Sequence, residues 1–196
     1  MKSKEAKLLS GKEPFTNNGI LTDYTVNDFW SFQFSNILHA PDVIAEFLVA
    51  KALGLDKPFN KDHWTLYDID YNGIRVEVKE TAYYHSFNEP GKISNQRVFG
   101  ITKANSNYEN PDEKNRFERQ NDVYVFCLLK GETAEDAWPL ELSHWEFYIV
   151  PTSVINKECG DQKTVSLSRV QNFTKPVDFE HIKETVDRVL HVCNKE

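Results

Sequence analysis

Residues 68–79 read DIDYNGIRVEVK, and Asp68, Asp70, Glu77 and Lys79 within them are side-chain types that hold a divalent cation and serve the attack of a water. Acidic residues are poor strand formers, yet these alternate with Ile and Val on both sides of Asn72-Gly73. Asn-Gly between two strand-like runs is the strongest short hairpin signal, because both turn residues need positive φ. A two-residue turn sets Tyr71 against Ile74, Asp70 against Arg75, Ile69 against Val76 and Asp68 against Glu77. Opposed residues, and every second residue along a strand, share a side of the sheet. Asp68, Asp70, Arg75, Glu77 and Lys79 are therefore expected on one face, with Tyr67, Ile69, Val76 and Val78 on the other, towards the core.

Asp68 opposite Glu77 is the informative pair. Two carboxylates about 5 Å apart at an effective dielectric near 20 repel by roughly 3 kcal/mol. Arg75 and Lys79 relieve part of this, and a divalent cation relieves more. The two carboxylates with the main-chain carbonyl of Val78 suit Mg²⁺ or Mn²⁺, and Lys79 would orient the attacking water. Read without chemistry, the same pattern is an amphipathic hairpin with a solvated charged face. Asp70 competes with Asp68 as ligand; the register favours Asp68. Glu46, inside the apolar stretch PDVIAEFLVAKALG, also needs a partner if buried. Either the metal site or a helix-end lysine would serve.

The elements that must position these groups follow from the pattern. Residues 1–26 are polar and aperiodic and read as an arm, with a single domain over 27–196. A helix is expected at 41–54, opened by Pro41, capped by Asp42, stopped by Gly54 and buried on most sides. Strands are expected at 64–71, 74–83, 97–102, 123–129, 145–151 and 164–168, with VYVFCLL at 123–129 buried on both faces. Residues 103–121 form a polar connector that makes a poor helix, and a helix at 179–192 is capped by Asp178. The order is that of an α/β (mixed α+β) domain.

A chain of 196 residues with 40% hydrophobic and 27% charged side chains has room for one core. The basic N-terminus lacks the apolar run of a secretory signal, and nothing approaches a membrane span. Cys127, Cys159 and Cys193 form no CxxC pair, which argues against a disulfide framework or a zinc knuckle and fits a cytoplasmic setting. The net charge of −7 runs against a protein that lives on phosphate contacts, though it says little about local patches. His63, His85, His144 and His181 are scattered, and Ser143-His144, Ser166 and Ser168 lack the elbow glycines of a serine hydrolase. Gly91 and Gly131 are isolated and make no phosphate loop. Arg116 and Arg119 in the connector could meet phosphates, though a solvated loop accounts for them better, and Trp138 and Trp145 are expected in the core.

Asp68, Glu77-Val78-Lys79 and the helical Glu46 together resemble the PD-(D/E)xK nuclease superfamily, whose motif is an Asp on one strand and Glu-x-Lys on the next. The resemblance implies a restriction-endonuclease-like central mixed sheet flanked by helices. It also implies an Mg²⁺-dependent endonuclease acting on DNA, with Asp68, Glu77 and Val78 at the metal, Lys79 at the attacking water and Glu46 in support. By analogy with restriction enzymes that pair to cut both strands, it extends to a homodimer. More narrowly, AEFLVAKALG, YDIDYNGIRVEVKETAY, DVYVFCLL, PLELSHWEFYIVPTSVI and QKTVSLSRV are similar to a family of functionally uncharacterised bacterial proteins, over roughly residues 30–190. That family tends to carry Gln-Ser-Trp where this chain has His85-Ser86-Phe87. Two other readings stand beside the nuclease: an inactive relative that binds nucleic acid or a protein partner, and an acidic protein that occupies a partner's DNA-binding site.

Overall fold

The computed structural model describes residues 9–35, 40–55, 66–84, 93–94, 96–105, 117–133 and 135–193, the side chains of 191–193 excepted. In chain order the elements are β1 (Pro14–Asn17), β2 (Ile20–Thr25), α1 (Val26–Gln33), α2 (Pro41–Ala52), β3 (Ile69–Tyr71), β4 (Ile74–Ala82), β5 (Val98–Gly100), β6 (Ala104–Asn105) and β7 (Phe117–Glu118). They continue with β8 (Val123–Leu129), β9 (Trp145–Pro151), α3 (Thr152–Cys159), β10 (Thr164–Ser166), α4 (Leu167–Phe173) and α5 (Ile182–Cys193). Single 3₁₀ turns precede β9 and α5. The fold is mixed α+β.

The spine is β8. Every residue of VYVFCLL is buried, because the strand lies inside a four-stranded sheet of order β3-β4-β8-β9 and is covered on both sides. β4 and β8 run parallel; β3–β4 and β8–β9 are antiparallel. The alternation of β4 and β8 divides the core in two. Val76, Val78, Val125 and Cys127 pack with α2 and α5, whereas Tyr124, Phe126 and Leu128 pack with Phe99, Ile101, Val165 and Val170. The strand expected at 97–102 shortens to β5 and pairs with β10 in a separate two-stranded sheet over the second face. Only Thr164–Ser166 of the expected 164–168 segment stays extended, since the Ser166 hydroxyl accepts the amide of Arg169 and starts α4.

Several expectations need correction. Ala40, not Asp42, is the N-cap of α2, and no side chain caps it; Pro41 opens the helix, and Asp42 lies in its first turn. Nor is α2 buried on most sides, because Val43 and Phe47 are exposed. Within the expected polar arm, Asn18-Gly19 takes positive φ at both positions and folds residues 14–25 into a hairpin, by the same turn chemistry as Asn72-Gly73. Trp145 is buried and donates its indole N–H to the Pro139 carbonyl at 2.9 Å, but Trp138 is exposed. Of the strand expected at 64–71 only Ile69–Tyr71 is extended; residues 61–65, with His63, lie outside the described residues, as do His85, Gly91 and Arg116. No helix among the described residues is long and apolar enough to cross a membrane. Cys127 and Cys159 are free and buried.

Arg119 is the largest departure within the connector. Its guanidinium is buried and donates to the carbonyls of Ile101, Gly160 and Gln162 and to Asn156 Oδ1, at 2.8–3.1 Å. A side chain used this way stitches the connector to α3 and the loop after it, and is not presented to a phosphate. Arg119→Met should strand three main-chain carbonyls and cost on the order of 3 kcal/mol. Urea unfolding of the variant measures this; a loss under 1 kcal/mol would contradict the stitching role.

Candidate active site

The β3–β4 hairpin has the register that its turn dictates: Ile69 opposite Val76, Asp70 opposite Arg75, and Tyr71 opposite Ile74. Asn72 and Gly73 both have positive φ, and the Gly73 amide donates to Asp70 Oδ1 at 2.8 Å. Asp70 is thus occupied by the turn, at the far end of the hairpin from Glu77. Arg75 is taken by Asp122, which accepts its amide and both Nε and Nη2 at 2.6–3.1 Å. Burial works to raise the Asp122 carboxyl, but the hydrogen bonds from Arg75 outweigh it and hold the group below the usual carboxylate range. This clamp fixes the start of β8 against β4.

Asp68, Glu77 and Lys79 come together. Asp68 precedes β3 and is not paired with Glu77 in the ladder as the turn register leads one to expect; its amide donates instead to the Val76 carbonyl at 3.1 Å. Its Oδ2 accepts the amide of Val78 at 2.8 Å. Lys79 Nζ stands 2.5 Å from Glu77 Oε1 and 3.8 Å from Asp68 Oδ2. Side-chain exposures of 14% for Asp68, 18% for Glu77 and 32% for Lys79 place the trio in a sheltered recess open at its lysine end, not on a solvated face. In an extended strand a residue's N–H and C=O point to the same edge. The Val78 amide meets Asp68, so the Val78 carbonyl also faces the edge where β3 has ended.

The Glu77 and Lys79 side chains stand on the face of Tyr124 and Phe126, their partners in the β4–β8 register. Burial pushes the Tyr124 phenol up, and the negative charge of Glu77 adds to the shift. Glu46 is placed differently. It rides on α2, whose Ala45, Leu48 and Val49 pack on the Val76/Val78 side of the sheet. The sequence joined Glu46 to Glu77 and Lys79; the structure puts the sheet between the helix that carries it and those two side chains.

A carboxyl that the motif reading passed over lies beneath α2. Glu80 shares the face of Val76, Val78 and Ala82 and stands opposite Cys127 across the β4–β8 ladder. Its Oε1 is buried and has no hydrogen-bond partner among the described residues. Burial, with a smaller contribution from Asp42, pushes its pKa up from the usual 4.5 to about 7. Burial and then Glu80, Glu46 and Asp68 push the Cys127 thiol up as well. The signal was present in the sequence: extending the core-facing alternation Val76, Val78 by one step lands on Glu80.

For a divalent cation the donor set fits in kind. It consists of hard oxygen donors, two carboxylates and a carbonyl at a strand edge, which leaves most of the coordination to water and substrate as Mg²⁺ prefers. Among the described residues no group of three or more His, Cys, Asp or Glu side chains is arranged to hold a metal ion. The countercharge between the two carboxylates is the Lys79 ammonium. Comparison of the chain with family models and with curated proteins returns no match, so the argument for function rests on this geometry.

The buried Glu80 sets a pH dependence. An acid whose folded pKa is raised costs nothing while it is protonated in both states, below about pH 4.5. As pH rises towards 7 the unfolded chain loses this proton first, so stability falls and stays lowered above pH 7. The shift corresponds to about 3 kcal/mol. Relative to Glu80→Gln, the wild type should lose about that much stability between pH 4.5 and 7.5. Urea unfolding at both ends of the range decides it: parallel pH profiles for the two proteins would contradict the buried-acid account.

Proposed function

We propose that the chain is an Mg²⁺-dependent, endonuclease-like phosphodiester hydrolase acting on DNA, of restriction type and of the PD-(D/E)xK class. The observation that carries this reading is a single ammonium, Lys79, held between Glu77 of β4 and Asp68 just before β3, at 2.5 and 3.8 Å, with both acids largely sheltered from solvent. Asp68, Glu77 and the Val78 carbonyl would hold the cation. Bound Mg²⁺ would neutralise the charge that gathers on the phosphoryl oxygens during attack. Asp68 does two jobs, since the oxygen that accepts the Val78 amide also fixes its carboxylate at the strand edge. Lys79 projects from the same strand as Glu77, and with a cation held by the carboxylates its ammonium would orient the attacking water towards the scissile bond. Glu46, whose helix packs on the Val76/Val78 side of the sheet, would support the site from that side.

A second reading is favoured by a specific observation. The described residues hold no cluster of three or more metal-ligating side chains, and the chain carries a net charge of −7. A catalytically inactive relative that binds nucleic acid or a protein partner would have this character.

Duplex DNA incubated with Mg²⁺ or Mn²⁺ separates the two readings. The wild type should cut. Lys79→Ala and Glu77→Ala should each lower the rate at least about 100-fold, the range for loss of a positioned acid–base or electrostatic group, while remaining folded at the assay temperature by circular dichroism. Cleavage that survives in both variants would refute the assignment. Retention of DNA without cutting, alike in wild type and Lys79→Ala, would favour the second reading.

A further inference from the structure

Residues 14–33 are folded but have no core of their own. The β1–β2 hairpin is closed by Asn18-Gly19. α1 is started by a capping box in which Thr25 and Asp28 satisfy each other's amides. Yet no residue of either strand or of α1 is buried. Ile20, Leu21, Tyr24, Phe29 and Phe32 all stand exposed, Phe32 at 81%. An isolated two-stranded hairpin and an eight-residue helix are each marginal in water. This much apolar surface marks an interaction site.

The chain also carries a matching receptor. A groove of about 620 Å³ runs along α2, lined by Val43, Ile44 and Phe47 from the helix and by Leu140, Leu142 and Phe179 from the segments beside it. Its lining is apolar except for Lys51, which lies over the Phe47 ring at 5.8 Å. Phe47 is itself 57% exposed, so the groove is open to a visitor. The charges agree: residues 14–33 contain two acids, Asp23 and Asp28, and no base, against the one cation of the groove. Phe34, one residue past α1, already reaches the groove of its own chain. The arm is therefore tethered at the groove through Phe34, while its own apolar side chains stay exposed.

We propose that the arm, β1–β2–α1, docks into the α2 groove of a second copy, which returns its own arm, giving a two-fold exchanged dimer. A surface patch and its complement on one chain, used reciprocally, close under a two-fold axis with nothing left over. The exchange supplies the core that the arm lacks and covers the exposed stripe of α2. It does not depend on the chemistry proposed for Lys79.

Light scattering of the full chain tests it, with substitutions at exposed positions that leave the fold intact. The wild type should show twice the chain mass of 22.8 kDa. Phe32→Asp in the arm and Phe47→Asp in the groove should each yield monomer. An equimolar mixture of the two variants should regain dimer, since one intact arm meets one intact groove in the mixed pair. A monomeric wild type at tens of micromolar overturns the proposal. So does a dimer that both substitutions leave unchanged, which would place the interface elsewhere, and so does a mixture that stays monomeric, which would mean that each arm serves its own chain.

Discussion

Neighbouring carboxylates repel, by roughly 3 kcal/mol at about 5 Å, and the Asp68–Lys79–Glu77 cluster is arranged to relieve that repulsion. Lys79 does so with one ammonium, and Asp68 is further restrained by the Val78 amide. Both restraints exist only in one register. A slip by one residue would send Glu77 and Lys79 to the α2 side and bury two charges among Val49, Val125 and Ile149. The turn at Asn72-Gly73, the Asp70 carboxylate that accepts the Gly73 amide and the Arg75–Asp122 clamp all hold that register from its other end. The charged residues of the hairpin thus divide into those that fix the frame and those that the frame presents.

The frame is rigid because β8 is buried along its full length between two separate apolar clusters. One cluster belongs to α2 and α5, the other to the small β5–β10 sheet and α4. The proposed site opens on the second side, against Tyr124 and Phe126, whereas Glu80 and the open groove belong to the first. Glu80 carries an oxygen with no partner among the described residues where an apolar side chain would pack, a cost that a carboxyl reduces by staying protonated. The face of the sheet beneath α2 is therefore its less settled side, both inside, at Glu80, and outside, along Val43 and Phe47.

Sequence patterns reached the hairpin because turn chemistry and strand alternation are local, and both depend on residues that adjoin in the chain. Asn72-Gly73 dictates the pairing of Ile69 with Val76 and of Asp70 with Arg75 with no knowledge of the rest of the molecule, and the apolar runs of β8 and β9 are marked by length and composition. The first Asn-Gly, at 18–19, carried the same signal, but its flanks lack the Ile/Val alternation, so residues 1–26 read as loose. Arg119 was illegible because its four acceptors come from residues 101, 156, 160 and 162, which no local pattern links to it. The setting of Glu46 was illegible for a related reason: helical spacing says that it is flanked by apolar groups, but only the packing of α2 says which face of the sheet its helix meets. The exposure of α2 was hidden too, because an apolar face waiting for a partner has the same composition as one already packed.

The claim on which the functional account stands is that Asp68 and Glu77 form a cation-holding pair. Titration of Mn²⁺ followed by its electron paramagnetic resonance signal measures this without reference to any substrate. The account predicts one saturable ion per chain, lost in Glu77→Gln and retained in Asp70→Asn, whose carboxylate serves the turn. The absence of saturable binding, or binding that Glu77→Gln leaves untouched, would contradict it.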